Sequence, residues 1–184
     1  SRNMAEFLYE YGTLTPEQAG YLGAALGAAL ASAHNSGVIH GAVEPGNVLL
    51  ADDGGVKLTD IGVHGGATEP AYLAPELKRG GAPTEQSDAY ALGAVLFRAV
   101  EGIPPFGQEG NDAPVVPTRT GPLTGALEKL LRTDPDLRPT LADTVNALRA
   151  VSKGRQTGFV PPTAPAMPTV PVMPRPPRVV PASA

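Results

Sequence analysis

The stretch from Thr15 to Gly37 constrains the fold of this chain more than any other. Thr15-Pro16-Glu17-Gln18 is a helix start: Thr caps, Pro occupies the first turn, and Gln reaches back to close a capping box. An Ala/Leu-rich run continues to Ser36 and stops at Gly37, a residue suited to a left-handed helix terminator. Tyr21, Leu22, Ala25, Leu26, Ala29 and Leu30 fall on one stripe, the pattern of a helix buried against neighbours. Gly20, Gly23 and Gly27 lie inside this helix, where they permit close packing of another element rather than cradling a phosphate.

The rest of the chain predicts a mainly α fold with one small β-hairpin. Asn3 caps a short helix reaching about Tyr11. Val48-Leu49-Leu50 and Val56-Lys57-Leu58 flank Asp52-Asp53-Gly54-Gly55 and read as the hairpin. A helix from about Glu85 to Glu101 ends at Gly102, and Pro104-Pro105 forbids its continuation. Two further helices follow, about Leu123–Arg132 and Thr140–Ser152, the second opened by Thr140 with Asp143 three residues on. Composition then changes. Residues 153–184 carry nine prolines and no acidic residue, so the expected division is a folded domain over 1–152 and an extended linker over 153–184.

Charge and cysteine content exclude several classes. With 14 basic and 18 acidic side chains the net charge is −4, which offers no concentrated basic face for nucleic acid. The absence of cysteine removes disulfides and thiolate metal sites and fits a reducing, cytoplasmic location. No run approaches the roughly 18 apolar residues of a membrane span, so any membrane anchor is expected beyond Ala184.

Five short motifs stand in order between residues 38 and 140. They are Val38-Ile39-His40 with Gly41-Ala42-Val43-Glu44-Pro45-Gly46-Asn47; Leu58-Thr59-Asp60-Ile61-Gly62; Tyr72-Leu73-Ala74-Pro75-Glu76; Ser87-Asp88 through Gly93 with Gly102-Ile103-Pro104-Pro105-Phe106; and Asp134-Pro135-Asp136-Leu137-Arg138-Pro139-Thr140. Together they resemble the protein-kinase family, and Ala33-His34-Asn35-Ser36-Gly37 before His40 resembles its bacterial serine/threonine members. The resemblance implies a protein-kinase-like fold, C-terminal lobe only. The family's N-terminal lobe supplies a glycine-rich turn and a Lys–Glu pair, and neither is found within these residues.

The same resemblance assigns roles. The family's catalytic loop reads His-Arg-Asp-x-Lys-Pro-x-Asn, with Asp accepting the substrate hydroxyl's proton. Here Ala42 stands at the Asp position, Gly41 at the Arg and Glu44 at the Lys, while His40, Pro45 and Asn47 remain. An alanine methyl neither orients nor deprotonates a nucleophile, and Glu44 adds negative charge where a cation would neutralise phosphate. Asn47 and Asp60 match the metal-ligating positions, but two oxygen ligands alone hold Mg²⁺ poorly without nucleotide phosphates. ATP and Mg²⁺ are therefore expected only alongside an N-terminal lobe. Glu76, Asp88 and Arg138 match structural positions: an ion pair for the first and third, and a carboxylate accepting catalytic-loop amides for the second. His40 is expected to pack in the core beneath Ile61. In the activation segment Glu69 replaces a Thr, and Thr68 is the hydroxyl left in that loop.

The expected function is a pseudokinase-type regulatory or binding module. Two alternatives stay open: an atypical active Ser/Thr kinase, and a scaffold that displays phosphothreonine. The last rests on Thr157 and Thr169, each followed three residues later by Val, a spacing similar to that of ligands of forkhead-associated domains; Thr163 is a third exposed candidate. The expected partner is accordingly a protein, either a forkhead-associated domain or another kinase.

Overall fold

The structure, a computed structural model, describes residues 1–60, 69–155 and 158–159. Among the described residues six α-helices form: α1 (Met4–Tyr11), α2 (Pro16–Asn35), the single turn α3 (Pro75–Lys78), α4 (Glu85–Glu101), α5 (Thr124–Leu130) and α6 (Leu141–Ser152). Thr15 and Gln18 form the reciprocal capping box of α2, and Thr84 and Ser87 form a second one at the start of α4. Gly102 ends α4 in the left-handed conformation (φ 86°), and its N–H donates to the carbonyl of Arg98.

The hairpin pairs β2 (Val48–Leu50) with β3 (Val56–Leu58) antiparallel, Leu49 opposite Lys57. A third strand was not legible in the sequence. Arg2 and Asn3 form β1, which pairs antiparallel with β2 through Arg2–Leu50 and Asn3–Leu49. Asn3 serves twice, because its Oδ1 accepts from the N–H groups of Ala5 and Glu6 while its Nδ2 donates to the Gly46 carbonyl. Two residues carry no periodicity, so only the partner strand makes them a strand.

The core forms around α2, which is flanked by α4 and α6. Leu22, Leu26 and Leu30 are wholly buried, together with Leu92 and Leu96 of α4 and Leu148 of α6. The buried face is turned slightly from the expected stripe: Gly20, Gly23 and Gly27 are buried, whereas Tyr21, Ala25 and Ala29 lie on its flank. Counting apolar side chains misses glycines, and here the glycines make the contact. A Cβ on Gly23 would stand 2.6 Å from Leu96 Cδ1 and 2.7 Å from Leu148 Cδ1, and one on Gly27 2.8 Å from Val145 Cγ2. Gly23→Val is therefore expected to cost about 1–3 kcal/mol by overpacking. Urea unfolding checks this; an unchanged midpoint would show that α4 and α6 separate freely.

Phe159, assigned from sequence to the tail, is wholly buried. Its ring lies on Tyr21 with centroids 6.1 Å apart, and Gln18 Nε2 donates to the Gly158 carbonyl at 3.3 Å. Gly158 and Phe159 thus sit against the first turns of α2.

Candidate functional site

The loop from His40 to Asn47 is held from below by one carboxylate. Asp88, in the first turn of α4, is 1% exposed and accepts from the N–H of His40 (2.9 Å) and of Gly41 (2.9 Å). His34, near the C-terminal end of α2, brings its Nε2 within 2.8 Å of the same carboxylate, and its Nδ1 lies 3.4 Å from Glu85. Asp88 thus stands beneath the loop, and His34, not singled out from sequence, joins it there. The signal was present, since His34 falls one turn after the buried Leu30 on α2.

His40 is wholly buried, and both ring nitrogens are engaged. Nε2 meets the Thr59 carbonyl at 2.7 Å, and Nδ1 meets the Ala42 N–H at 3.0 Å. A carbonyl only accepts and a backbone N–H only donates, so the ring is neutral with its proton on Nε2. No lone pair remains for a substrate hydroxyl. This histidine shapes the loop. Ile61, expected above it, lies outside the described residues.

Around position 42 the backbone is intact and the side chain is a methyl. Asn47 Nδ2 donates to the Ala42 carbonyl at 2.8 Å, which closes the loop on itself. That bond assigns the amide nitrogen and leaves Oδ1 as the group able to face a cation. The Asn47 carbonyl accepts from the Thr59 N–H (2.8 Å) and hydroxyl (3.1 Å), tying the loop to the residue before Asp60. Asp60 is exposed and takes a left-handed backbone, φ 60°. Aspartate visits that region more readily than most residues, and such conformations concentrate at functional positions. Gly41, at φ 82°, needs the same freedom, which an arginine would not supply without strain. Among the described residues no three His, Cys, Asp or Glu side chains cluster as a metal site would require. Asn47 and Asp60 offer oxygen donors of the kind Mg²⁺ takes, and two such donors do not make a self-sufficient cage.

Glu44 reaches across to the next segment. Its Oε2 accepts from the Glu69 N–H at 2.9 Å, bridging the loop to the segment that leads into Pro70–Tyr72. Burial pushes its carboxyl above the ordinary range; the Glu69 N–H opposes that rise, and the Glu69 carboxylate adds to it. Thr68, with the rest of 61–68, lies outside the described residues.

Farther out, Arg138 and Glu76 form the expected ion pair with bidentate geometry, Nη1–Oε2 2.7 Å and Nη2–Oε1 2.8 Å. Three carbonyls complete the guanidinium: Gln86 on Nη1, Arg132 on Nε and Thr133 on Nη2. All five donors are used, and the planar group lies 5.0 Å from the Tyr90 ring centroid. This junction joins α3, α4 and the turn before α6.

The protein kinase domain model matches residues 1–148. The chain belongs to the protein kinase domain family. Among similar proteins, the serine/threonine-protein kinase PkaA of Streptomyces coelicolor is 36% identical over 177 residues, covering 83% of this chain and 33% of that protein. Serine/threonine-protein kinase PknK of Mycobacterium tuberculosis is 40% identical over 114 residues, 55% of this chain and 10% of that protein. PrkC of Bacillus subtilis is 33% identical over 118 residues, 58% of this chain and 18% of that protein. The kinase-family chain therefore spans a third or less of the length of these relatives. Thr157, Thr163 and Thr169 lie outside the described residues, and no helix among the described residues is long and apolar enough to cross a membrane.

Proposed function

We propose that this chain is the C-terminal lobe of a bacterial serine/threonine kinase-like protein and works as a pseudokinase-type regulatory or binding module. One observation carries the reading. The loop that would hold a catalytic base is fully built, yet position 42 carries a methyl and the neighbouring imidazole has both nitrogens committed. Loss of a positioned general base is worth about 10²–10⁴-fold in rate. Glu44 supports the same reading, since its carboxylate is drawn to Glu69 where a cation would serve phosphate transfer. The architectural set (Asp88, Glu76, Arg138) is complete, so the scaffold is kept for recognition. We place the module in the cytoplasm, with a protein as its partner.

The test is phosphate transfer from labelled ATP by the longest natural protein that includes this chain. The expected result is no turnover above a control lacking protein. Turnover abolished by Asp60→Ala would sink the proposal, and Ala42→Asp is the gain-of-function arm.

A second reading, an atypical active kinase, draws on Asn47 and Asp60. The amide of Asn47 is oriented by Ala42, and Asp60 holds a left-handed backbone, an arrangement able to receive ATP with Mg²⁺ when the missing ligands come from elsewhere. Calorimetry on the longer protein discriminates, since undetectable binding at millimolar nucleotide removes this reading. Display of phosphothreonine to a forkhead-associated domain fits Thr169 better than Thr157. A reader of Thr157 would meet Gly158 already hydrogen-bonded and Phe159 buried.

A further inference from the structure

We propose that the proline-rich segment 162–177 folds back in cis and docks as a polyproline II ridge in an apolar groove between α4, the loop 103–120 and α5. The groove has Phe97, Pro105 and Phe106 on one wall and Thr124, Leu127 and Leu131 on the other. Its volume of about 190 Å³ is below the roughly 300–1,000 Å³ of small-molecule sites. It suits the side chains of an extended segment instead. Aromatic and proline-lined grooves of this kind receive polyproline II ligands, whose preset backbone loses little entropy on binding.

The occupant is written in the tail. Pro162, Pro165, Pro168, Pro171, Pro174 and Pro177 recur every third residue, and a polyproline II helix has three residues per turn. All six therefore share one ridge. The next ridge is apolar too, with Ala164, Met167, Val170 and Met173. The third carries Thr163, Thr169, Arg175 and Arg178 with Ala166 and Val172 between them, the more polar side of the rod. A spacer needs no such phase; a docking strand does.

Position and charge select this chain's own tail. The chain leaves the described fold at Phe159, beside Tyr21 and Gln18 of α2. Two residues before Gln18, Pro16 approaches Gly121 so closely that a Cβ there would stand 3.7 Å from Pro16 Cγ. Thr120, next to Gly121, lines the groove and shares a 2.7 Å hydroxyl contact with Thr124. The exit and the groove thus meet at the start of α2. Fifteen residues of polyproline II span about 45 Å, so reach is not limiting. A short tether raises the local concentration to the order of millimolar, so even a weak contact closes. The charged side chains beyond residue 159 are Arg175 and Arg178, and Glu128 stands exposed on the groove rim, where long arginine side chains reach it from the outer ridge.

The chain has no cysteine, so Ala166→Cys gives one site for a nitroxide on the ridge facing away from the groove. In isotope-labelled full-length protein, the expected result is selective broadening of the amide signals of Thr124, Glu128 and Leu131. Lys57 and Asp52 on the hairpin should stay sharp. Broadening should survive dilution and vanish in the Pro168→Gly/Pro171→Gly/Pro174→Gly variant. Glu128→Arg should weaken it, and adding Arg175→Glu/Arg178→Glu should restore it. Broadening that is absent or spread evenly would overturn the proposal, as would survival of the triple glycine change. Transfer from a spin-labelled molecule to an isotope-labelled one would assign the groove to a second copy instead.

Discussion

Arg138→Met is expected to lower the unfolding free energy by about 3–5 kcal/mol, the cost of leaving a largely buried partner charge uncompensated. The change strands the Glu76 carboxylate and removes the donors that satisfy the carbonyls of Gln86, Arg132 and Thr133. Urea denaturation followed by circular dichroism checks it. A loss under about 0.5 kcal/mol, the size of an ordinary surface substitution, would mean that the junction is not a stabilising element. Acid provides the second arm. Burial tends to raise the Glu76 carboxyl, but the Arg138 hydrogen bonds and charge outweigh it and hold the group below its ordinary 4.5. The unfolded carboxyl then takes up protons first as pH falls, so this stabilisation is present above about 4.5 and is lost on acidification. Glu76→Gln should flatten the acid limb of a stability–pH curve. Glu44 has the opposite sign: its raised carboxyl favours the folded state when protonated, and that contribution fades as pH rises through its folded value.

Asp88→Ala should be nearly as damaging, at about 2–5 kcal/mol. It leaves the His40 and Gly41 N–H groups without an acceptor, at about 1–3 kcal/mol each where they are buried. It also frees the His34 ring. The local readout separates this from general destabilisation: amide shifts of His40, Gly41 and Ala42 should move while those of α6 stay in place. Unchanged loop shifts in a folded Asp88→Ala protein would show that the carboxylate does not shape this loop. Asp88→Asn should fall between, since one oxygen still accepts.

Particular residues show why some of this was legible and some was not. Helix ends came through because Thr15, Thr84, Thr140 and Gly102 act within one turn of chain, where local chemistry decides the outcome. The Glu76–Arg138 pair and the Asp88 contacts were reachable because motifs stand at family spacing, although neither follows from periodicity. The junction's three carbonyl acceptors were not reachable, because backbone groups carry no residue identity. His34 and Phe159 were missed for a related reason: a polar residue near the end of α2 and an aromatic residue beyond α6 gain meaning only from Asp88 and Tyr21 arriving from elsewhere in the chain.

The ends of α1, α2, α4 and α6, and the lack of a side-chain oxygen at position 42, were legible in the sequence, because both are properties of local chemistry and residue identity. Tertiary structure decided which face of α2 is buried, the strand status of Arg2 and Asn3, the committed tautomer of His40 and the burial of Phe159. Each of these depends on a partner distant in the chain, and close packing admits one arrangement of such partners where local propensity allows several.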